Sequence, residues 1–197
     1  MNQHAVAALA ALQAHIASLK LLPRTGWLQR NLRDVESVAE HSFGVATLAL
    51  VVGDLYPELD RGHLLAMAIL HDMAEALLGD LPASASRLLG KAAKHEAERK
   101  AMLEIFHGLP CSDAYLALWE EYSQAASKEA RLVKALDRLE MLAQALAYER
   151  AGARGLDEFW AERNGWGEEF PEVRALTAQL FAQHQALMGQ RGGENET

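Results

Sequence analysis

The stretch AILHDMAEALLGDLP, Ala68 to Pro82, sets four ionisable side chains, His71, Asp72, Glu75 and Asp80, among apolar residues. On a regular helix His71 and Asp72 point about 100° apart. Glu75, four residues after the first and three after the second, shares an edge with both. Two further polar groups sit in apolar helical patterns: His41 among Val38, Val45 and Leu48, and Asp137 among Val133, Leu136 and Leu139. A carboxylate buried without a partner is costly, so buried charges pair or bind metal. Neutral imidazole with carboxylate suits Zn, Mn, Co, Fe or Ni, and such a mixed nitrogen and oxygen set can leave positions for water and substrate. Each residue alone has a plainer reading. A single His on an apolar face is more often a hydrogen-bonded core residue, and Asp72 and Glu75 could pair with Lys or Arg on a solvated face.

The elements that must bring these groups together read as helices throughout, because β-branched residues never alternate over a useful length. Residues 2–22 carry apolar positions at three and four spacing, and Pro23 ends that helix. An Arg-rich loop, RTGWLQRNLRDVE, follows with an exposed-looking Trp27. Ser37 and Glu40 form a capping-box pattern opening a helix to about Tyr56. Asp60 can cap the next helix, which holds the opening stretch and stops at Gly79. Further helices are expected over about 91–107 and 112–123, from Ser127 to Arg150, and from Pro171 to near Gly189. The expectation is an all-α, single compact multi-helix domain over residues 1–191 with a disordered tail at 192–197.

The 197 residues suffice for one core, and the formal charge of −8 argues against a nucleic-acid polymer or an anionic membrane as partner. A small anionic substrate stays compatible, since one local cation can override the global field. No run of 18 apolar residues suggests a membrane span, and Gln13, His15 and Lys20 interrupt the N-terminal apolar stretch, which reads as a helix and not a signal peptide. The single cysteine, Cys111, permits no disulfide within the chain and fits a reducing compartment, so the expected location is cytoplasmic. The remaining histidines, His4, His15, His63, His95, His107 and His184, stand in polar or terminal contexts and receive no role.

The order His41, then His71–Asp72, then Asp137, each on a separate helix, resembles the HD-domain phosphohydrolase superfamily. The words RTGWLQRN, VESVAEHSFGVA, LHDMAEALLGDLP, EEYSQAASKEARLVKALDRLEM and FPEVRALTAQL together resemble the HD-domain 5′-deoxynucleotidases, most of all the branch with the HD-domain-containing proteins of eukaryotes. The resemblance spans about residues 19 to 181. It implies that His41, His71, Asp72 and Asp137 hold one divalent ion, such as cobalt or manganese. It implies further that Glu75 is the catalytic acidic residue and that Asp80, in the same catalytic set, lies near the sugar. Arg24 would bind phosphate, Trp27 would lie beside the sugar, Glu121 would stand near the base, and the chain would form a homodimer. In the bacterial branch the arginine is followed directly by the tryptophan; here Thr25 and Gly26 intervene.

The implied reaction is hydrolysis of a deoxyribonucleoside 5′-monophosphate. Alternatives are another HD phosphohydrolase acting on ribonucleotides, cyclic nucleotides or nucleoside triphosphates, a di-iron oxygenase needing about two further ligands, and a non-catalytic helical module with a structural metal.

Overall fold

Three side-chain caps set the starts of the helices that carry the site. Ser37 Oγ accepts from the Glu40 N–H at 3.2 Å while Glu40 Oε2 accepts from the Ser37 N–H at 2.6 Å, so the expected capping box is complete. Asp60 accepts from the His63 N–H at 2.9 Å, and Ser127 from the Ala130 N–H at 3.0 Å. The computed structural model describes residues 3–161 and 167–193. Among them stand eleven helices and no strand beyond one isolated bridge, Pro23 to Ser37, in agreement with the all-α expectation.

The long elements are α1 (Gln3–Leu21), α3 (Val38–Gly53), α4 (Arg61–Leu70), α7 (Lys91–Ile105), α8 (Ser112–Gln124), α9 (Lys128–Arg150) and α11 (Pro171–Gly193). Short ones intervene: α2 (Thr25–Leu28) inside the expected Arg-rich loop, α5 (Glu75–Leu78), α6 (Ala83–Leu89) and α10 (Asp157–Ala161). Of the expected tail, residues 194–197 lie outside the described residues.

At the centre, α3 packs on α4 and α9 through Val45, Ala49, Leu64, Met67, Leu132 and Leu136, all fully buried. Burial of such side chains contributes about 1.5–3 kcal/mol each, so this three-helix contact is the rigid frame on which His41 and Asp137 stand. A second cluster joins α1, α7 and α8 through Leu19, Met102, Ile105 and Trp119. By length and composition α1 alone among the described helices could cross a membrane, with mean hydropathy 1.2. The sequence expectation of no span-length apolar stretch therefore needs that qualification, and here α1 packs on α3, α5 and α7.

Two expectations fail in instructive ways. The helix expected from Asp60 to Gly79 is broken. α4 ends at Leu70, residues 71–74 form turns, α5 starts at Glu75, and the Met73, Glu75 and Ala76 amides bond three residues back. The apolar periodicity runs through this break, so nothing in the pattern announces it; tight turns of this kind inside helices often mark functional sites. His184 is not in a polar context but buried, stacked on Trp160 at 4.3 Å with Nδ1 2.8 Å from Glu149 Oε2.

The segment after α1 is pinned at its base. The Arg24 N–H donates to the Glu36 carbonyl at 3.0 Å and the Val38 N–H to Leu22 at 2.9 Å. These bonds fix Arg24 beside the start of α3, the helix that carries His41.

Candidate active site

His41 is fully buried on α3. Its Nδ1 lies 2.5 Å from Glu140 Oε2, and its Nε2 lies 3.1 Å from Asp137 Oδ1 and 3.8 Å from Asp72 Oδ2. His71 stands at the end of α4, with Nδ1 2.7 Å from the Ala68 carbonyl. That carbonyl can only accept, so Nδ1 carries a proton and Nε2 is the atom left to hold either a second proton or a metal ion. Nε2 is buried, has no hydrogen-bond partner, and lies 3.2 Å from Asp72 Oδ2. An imidazole nitrogen this close to a carboxylate oxygen is repelled unless a proton or a metal ion stands between them. Ligand atoms of His41, His71 and Asp137 all fall within 4.8 Å of one another.

The electrostatics agree. Burial raises the cost of ionising Asp72 and Asp137, yet both are held low. The His71, Arg24 and His41 cations keep Asp72 well below the ordinary carboxylate range, and His41 and His71 bring Asp137 to about 2. Against its own burial, His41 is pushed up to about 10 by its bonds to Asp137 and Glu140. The group therefore has a standing demand for positive charge, met by protons on the imidazoles. A divalent ion can take the place of those protons, since binding metal to histidine displaces them. The donor set of two imidazole nitrogens and two carboxylates fits a divalent transition metal.

Glu140 was not found from the sequence. It lies one turn after Asp137 on α9 and orients His41 as a carboxylate behind a ligating histidine does. Gly44 makes room for it: a Cβ there would sit 2.7 Å from Glu140 Oε1 and 2.9 Å from its Cγ. Glu140→Ala is expected to weaken divalent metal binding about 10- to 100-fold, and Gly44→Ala to act in the same direction. Calorimetric titration of metal-stripped protein with manganese checks this; wild-type affinity in both variants would remove Glu140 from the account. Glu36, His41 and Glu140 form a second close group. Its hydrogen bonds are already used, since the Trp27 indole N–H donates to Glu36 at 2.9 Å and His41 meets Glu140.

Around the imidazole–carboxylate group, a cavity of about 840 Å³ is lined by Arg24, Glu75, Asp80, Tyr122 and Lys134 among others. Arg24 Nη1 donates to Asp72 Oδ2 at 3.1 Å. Asp72, Asp80, Glu75 and Asp137 outweigh the burial of the guanidinium and raise its pKa, so it is charged at any working pH. Glu75 is the opposite case. Burial first, then the Asp72 and Asp80 charges, push its carboxyl up to about 10, and its buried Oε2 has no hydrogen-bond partner. It is a neutral acid at pH 7 with a proton to give. Asp80 accepts from the Thr25 N–H at 2.5 Å, which ties the turn after Gly79 to the Arg24–Trp27 segment.

Two expected substrate residues stand apart from the imidazole–carboxylate group. Trp27 is not exposed but 1% accessible, packed on Phe159 at 4.5 Å and Tyr148 at 5.3 Å. It lines a neighbouring cavity of about 640 Å³ that also includes Arg24 and Asp80. Glu121 is not brought to the group: it pairs with His63 of α4 at 2.9 Å. Its neighbour Tyr122, about 100° further round α8, faces in and donates to Asp137 Oδ2 at 3.2 Å.

A family model described as HD domain matches residues 16–174. A 5′-deoxynucleotidase HDDC2 of Danio rerio is 37% identical, the match covering 92% of each chain. The human protein of that name is 36% identical over 85% of this chain and 82% of its own. Among solved structures, a predicted metal-dependent phosphohydrolase from Magnetospirillum magnetotacticum superposes with TM-score 0.65 at 27% identity, covering 92% of this chain and 97% of that one. A conserved hypothetical protein from Pyrococcus furiosus superposes with TM-score 0.72 at 36% identity, covering 88% and 98%.

Proposed function

The chain belongs to the HD-domain family, and on that premise we propose that it is a metal-dependent 5′-deoxynucleotidase, converting a deoxyribonucleoside 5′-monophosphate and water to deoxynucleoside and phosphate. The observation that carries the reading is the buried, unpartnered Nε2 of His71 facing Asp72 within the group that also holds His41 and Asp137. The relatives named 5′-deoxynucleotidase, which the chain matches nearly end to end, support the substrate class. Four residues, His41, His71, Asp72 and Asp137, would hold one divalent ion, with cobalt and manganese the candidates. Bound there, the ion supplies polarisation of a phosphoryl oxygen and activation of a water.

The chain's own residues do the rest. The Arg24 guanidinium keeps N–H donors beyond the one given to Asp72, and two of them can grip phosphoryl oxygens in the planar, bidentate manner arginine favours. The neutral Glu75 carboxyl gives its proton to the 5′ oxygen as the P–O bond breaks, so the nucleoside leaves as an alcohol. A proton from the attacking water restores it. Asp80, held by Thr25, is the candidate sugar contact. Trp27 lines the neighbouring cavity together with Arg24 and Asp80 and is the candidate aromatic beside the sugar. A homodimer in the cytoplasm is part of the same proposal. It is supported by the family resemblance, by the exposed Phe43, Leu50 and Val51 on α3, and by a lone, unpaired Cys111.

The experiment is phosphate release from dAMP, AMP and dATP by metal-stripped protein resupplied with cobalt, manganese, magnesium or zinc. Metal-dependent release that favours dAMP over both others is expected. Faster hydrolysis of dATP than of dAMP, or equal use of AMP, would overturn the substrate assignment.

A further inference from the structure

A phosphate monoester carries three non-bridging oxygens. Arg24 and a metal ion do not by themselves surround them. The α9 helix places a further cation at the same cavity. Lys134 lies three residues before Asp137, on the same helix face, and lines the cavity with His71, Asp72, Glu75 and Asp137. Its Nζ stands 4.0 Å from the centroid of the Tyr122 ring, whose hydroxyl donates to Asp137.

The surroundings of that ammonium are unusual. Among the described residues no carboxylate oxygen lies within 4.0 Å of Nζ. The other cavity cations differ: Arg24 pairs with Asp72 at 3.1 Å, Lys94 with Glu98 at 3.4 Å, and Lys91 is exposed at the rim. Burial lowers the Lys134 pKa, while Asp137 and Asp72 oppose the shift from a distance. The half-buried side chain has thus given up part of its water without gaining an ion partner. A withdrawn charge of this kind is costly unless an anion comes to it. The ring face of Tyr122 offsets part of the cost and leaves N–H donors free to point into the cavity.

We propose that Lys134 is a further substrate-binding residue, its ammonium holding a non-bridging phosphoryl oxygen of the monophosphate substrate and of the product phosphate. The inference rests on the phosphomonoesterase reading above. Lysine serves here as a point charge where Arg24 serves as a fork. It keeps its proton throughout, so the balance of the reaction is unchanged: the water oxygen joins phosphorus, the 5′ oxygen leaves with the Glu75 proton, and Lys134 stabilises charge on the group between them.

A packing role for the aliphatic stem predicts something different from a phosphate role for the charge, and Lys134→Met separates the two because it keeps the stem. The measurement is KM and kcat for dAMP, and the inhibition constant of inorganic phosphate, in manganese-loaded wild type, Lys134→Met and Lys134→Arg, with bound metal counted in each. We expect Lys134→Met to bind metal as the wild type does. Its KM and phosphate inhibition constant should rise about tenfold or more, with part of the loss restored by Lys134→Arg. Unchanged KM and phosphate inhibition in Lys134→Met, while the wild type hydrolyses dAMP, would overturn this inference and leave the reaction standing. If Lys134→Met does not fold, Lys134→Gln decides: with metal retained, a wild-type inhibition constant for phosphate would overturn the proposal, and a raised one would uphold it. A wild type that neither hydrolyses monophosphates nor is inhibited by phosphate would overturn the reaction itself, and this inference with it.

Discussion

Asp72→Ala is expected to lower kcat/KM for dAMP by at least about a thousandfold at saturating metal. One carboxylate oxygen, Oδ2, stands 3.1 Å from Arg24, 3.2 Å from His71 and 3.8 Å from His41. Removing it takes away a metal ligand and the fixed partner of the phosphate-binding guanidinium together, and losing a metal that both activates water and neutralises phosphoryl charge forfeits several kcal/mol of transition-state stabilisation. The same change leaves Arg24 and His71 without their nearest counter-charge, which destabilises the metal-free fold by about 3 kcal/mol on the scale of broken buried pairs. Phosphate release and bound metal measured on the same sample check the first effect, and thermal melting of the stripped protein checks the second. Retained activity with retained metal would show that Asp72 is not a ligand.

Glu75→Gln is expected to separate catalysis from stability. Metal binding should persist, because Glu75 is not one of the four ligands, while kcat falls about 10²- to 10⁴-fold with the loss of the proton donor. The metal-free fold should become more stable. The Glu75 carboxyl, ordinarily near 4.5, is pushed up to about 10. The folded chain thus holds a proton that the unfolded chain releases above the ordinary carboxylate range, and stability contributed by that group is lost as pH rises from there toward 10. Glutamine has no such proton to lose. The advantage of the variant is therefore small at pH 5 and grows by pH 8 to about 2 kcal/mol after allowance for solvent relaxation, or roughly 5 °C in Tm. Melting curves of stripped wild type and variant at both pH values test it. An advantage that shrinks with pH would mean that Glu75 is ionised in the fold, and its role as acid would go with it.

The imidazole–carboxylate group was legible in the sequence because its members are polar residues at positions where helical periodicity demands apolar ones. His41, His71 and Asp137 are conspicuous against Val, Leu and Ala, and the caps at Ser37, Asp60 and Ser127 fixed where their helices start. The break between α4 and α5 was not legible, since Leu70, Met73, Ala74 and Leu77 continue the apolar rhythm across it. Glu140 and Lys134 escaped notice for another reason. On a helix as charged as α9, a carboxylate three residues after Asp137 and a lysine three before it look like solvated surface, and only the approach of α3 and α8 shows which ones turn inward. Glu121 and Tyr122 are one position apart, a 100° step around α8 that separates a contact with His63 from a contact with Asp137. The burial of Trp27 was not legible because its loop reads as polar, whereas Glu36 satisfies the indole N–H and Phe159 and Tyr148 close over the ring.

The central claim is that His41, His71, Asp72 and Asp137 hold one divalent ion on which phosphate ester hydrolysis depends. The most direct test adds manganese or cobalt stepwise to metal-stripped protein while bound metal and phosphate release from dAMP are followed together. The account predicts that both rise in parallel and level off at one ion per chain. Release of phosphate without metal, or activity that appears only as a second ion binds, would contradict it.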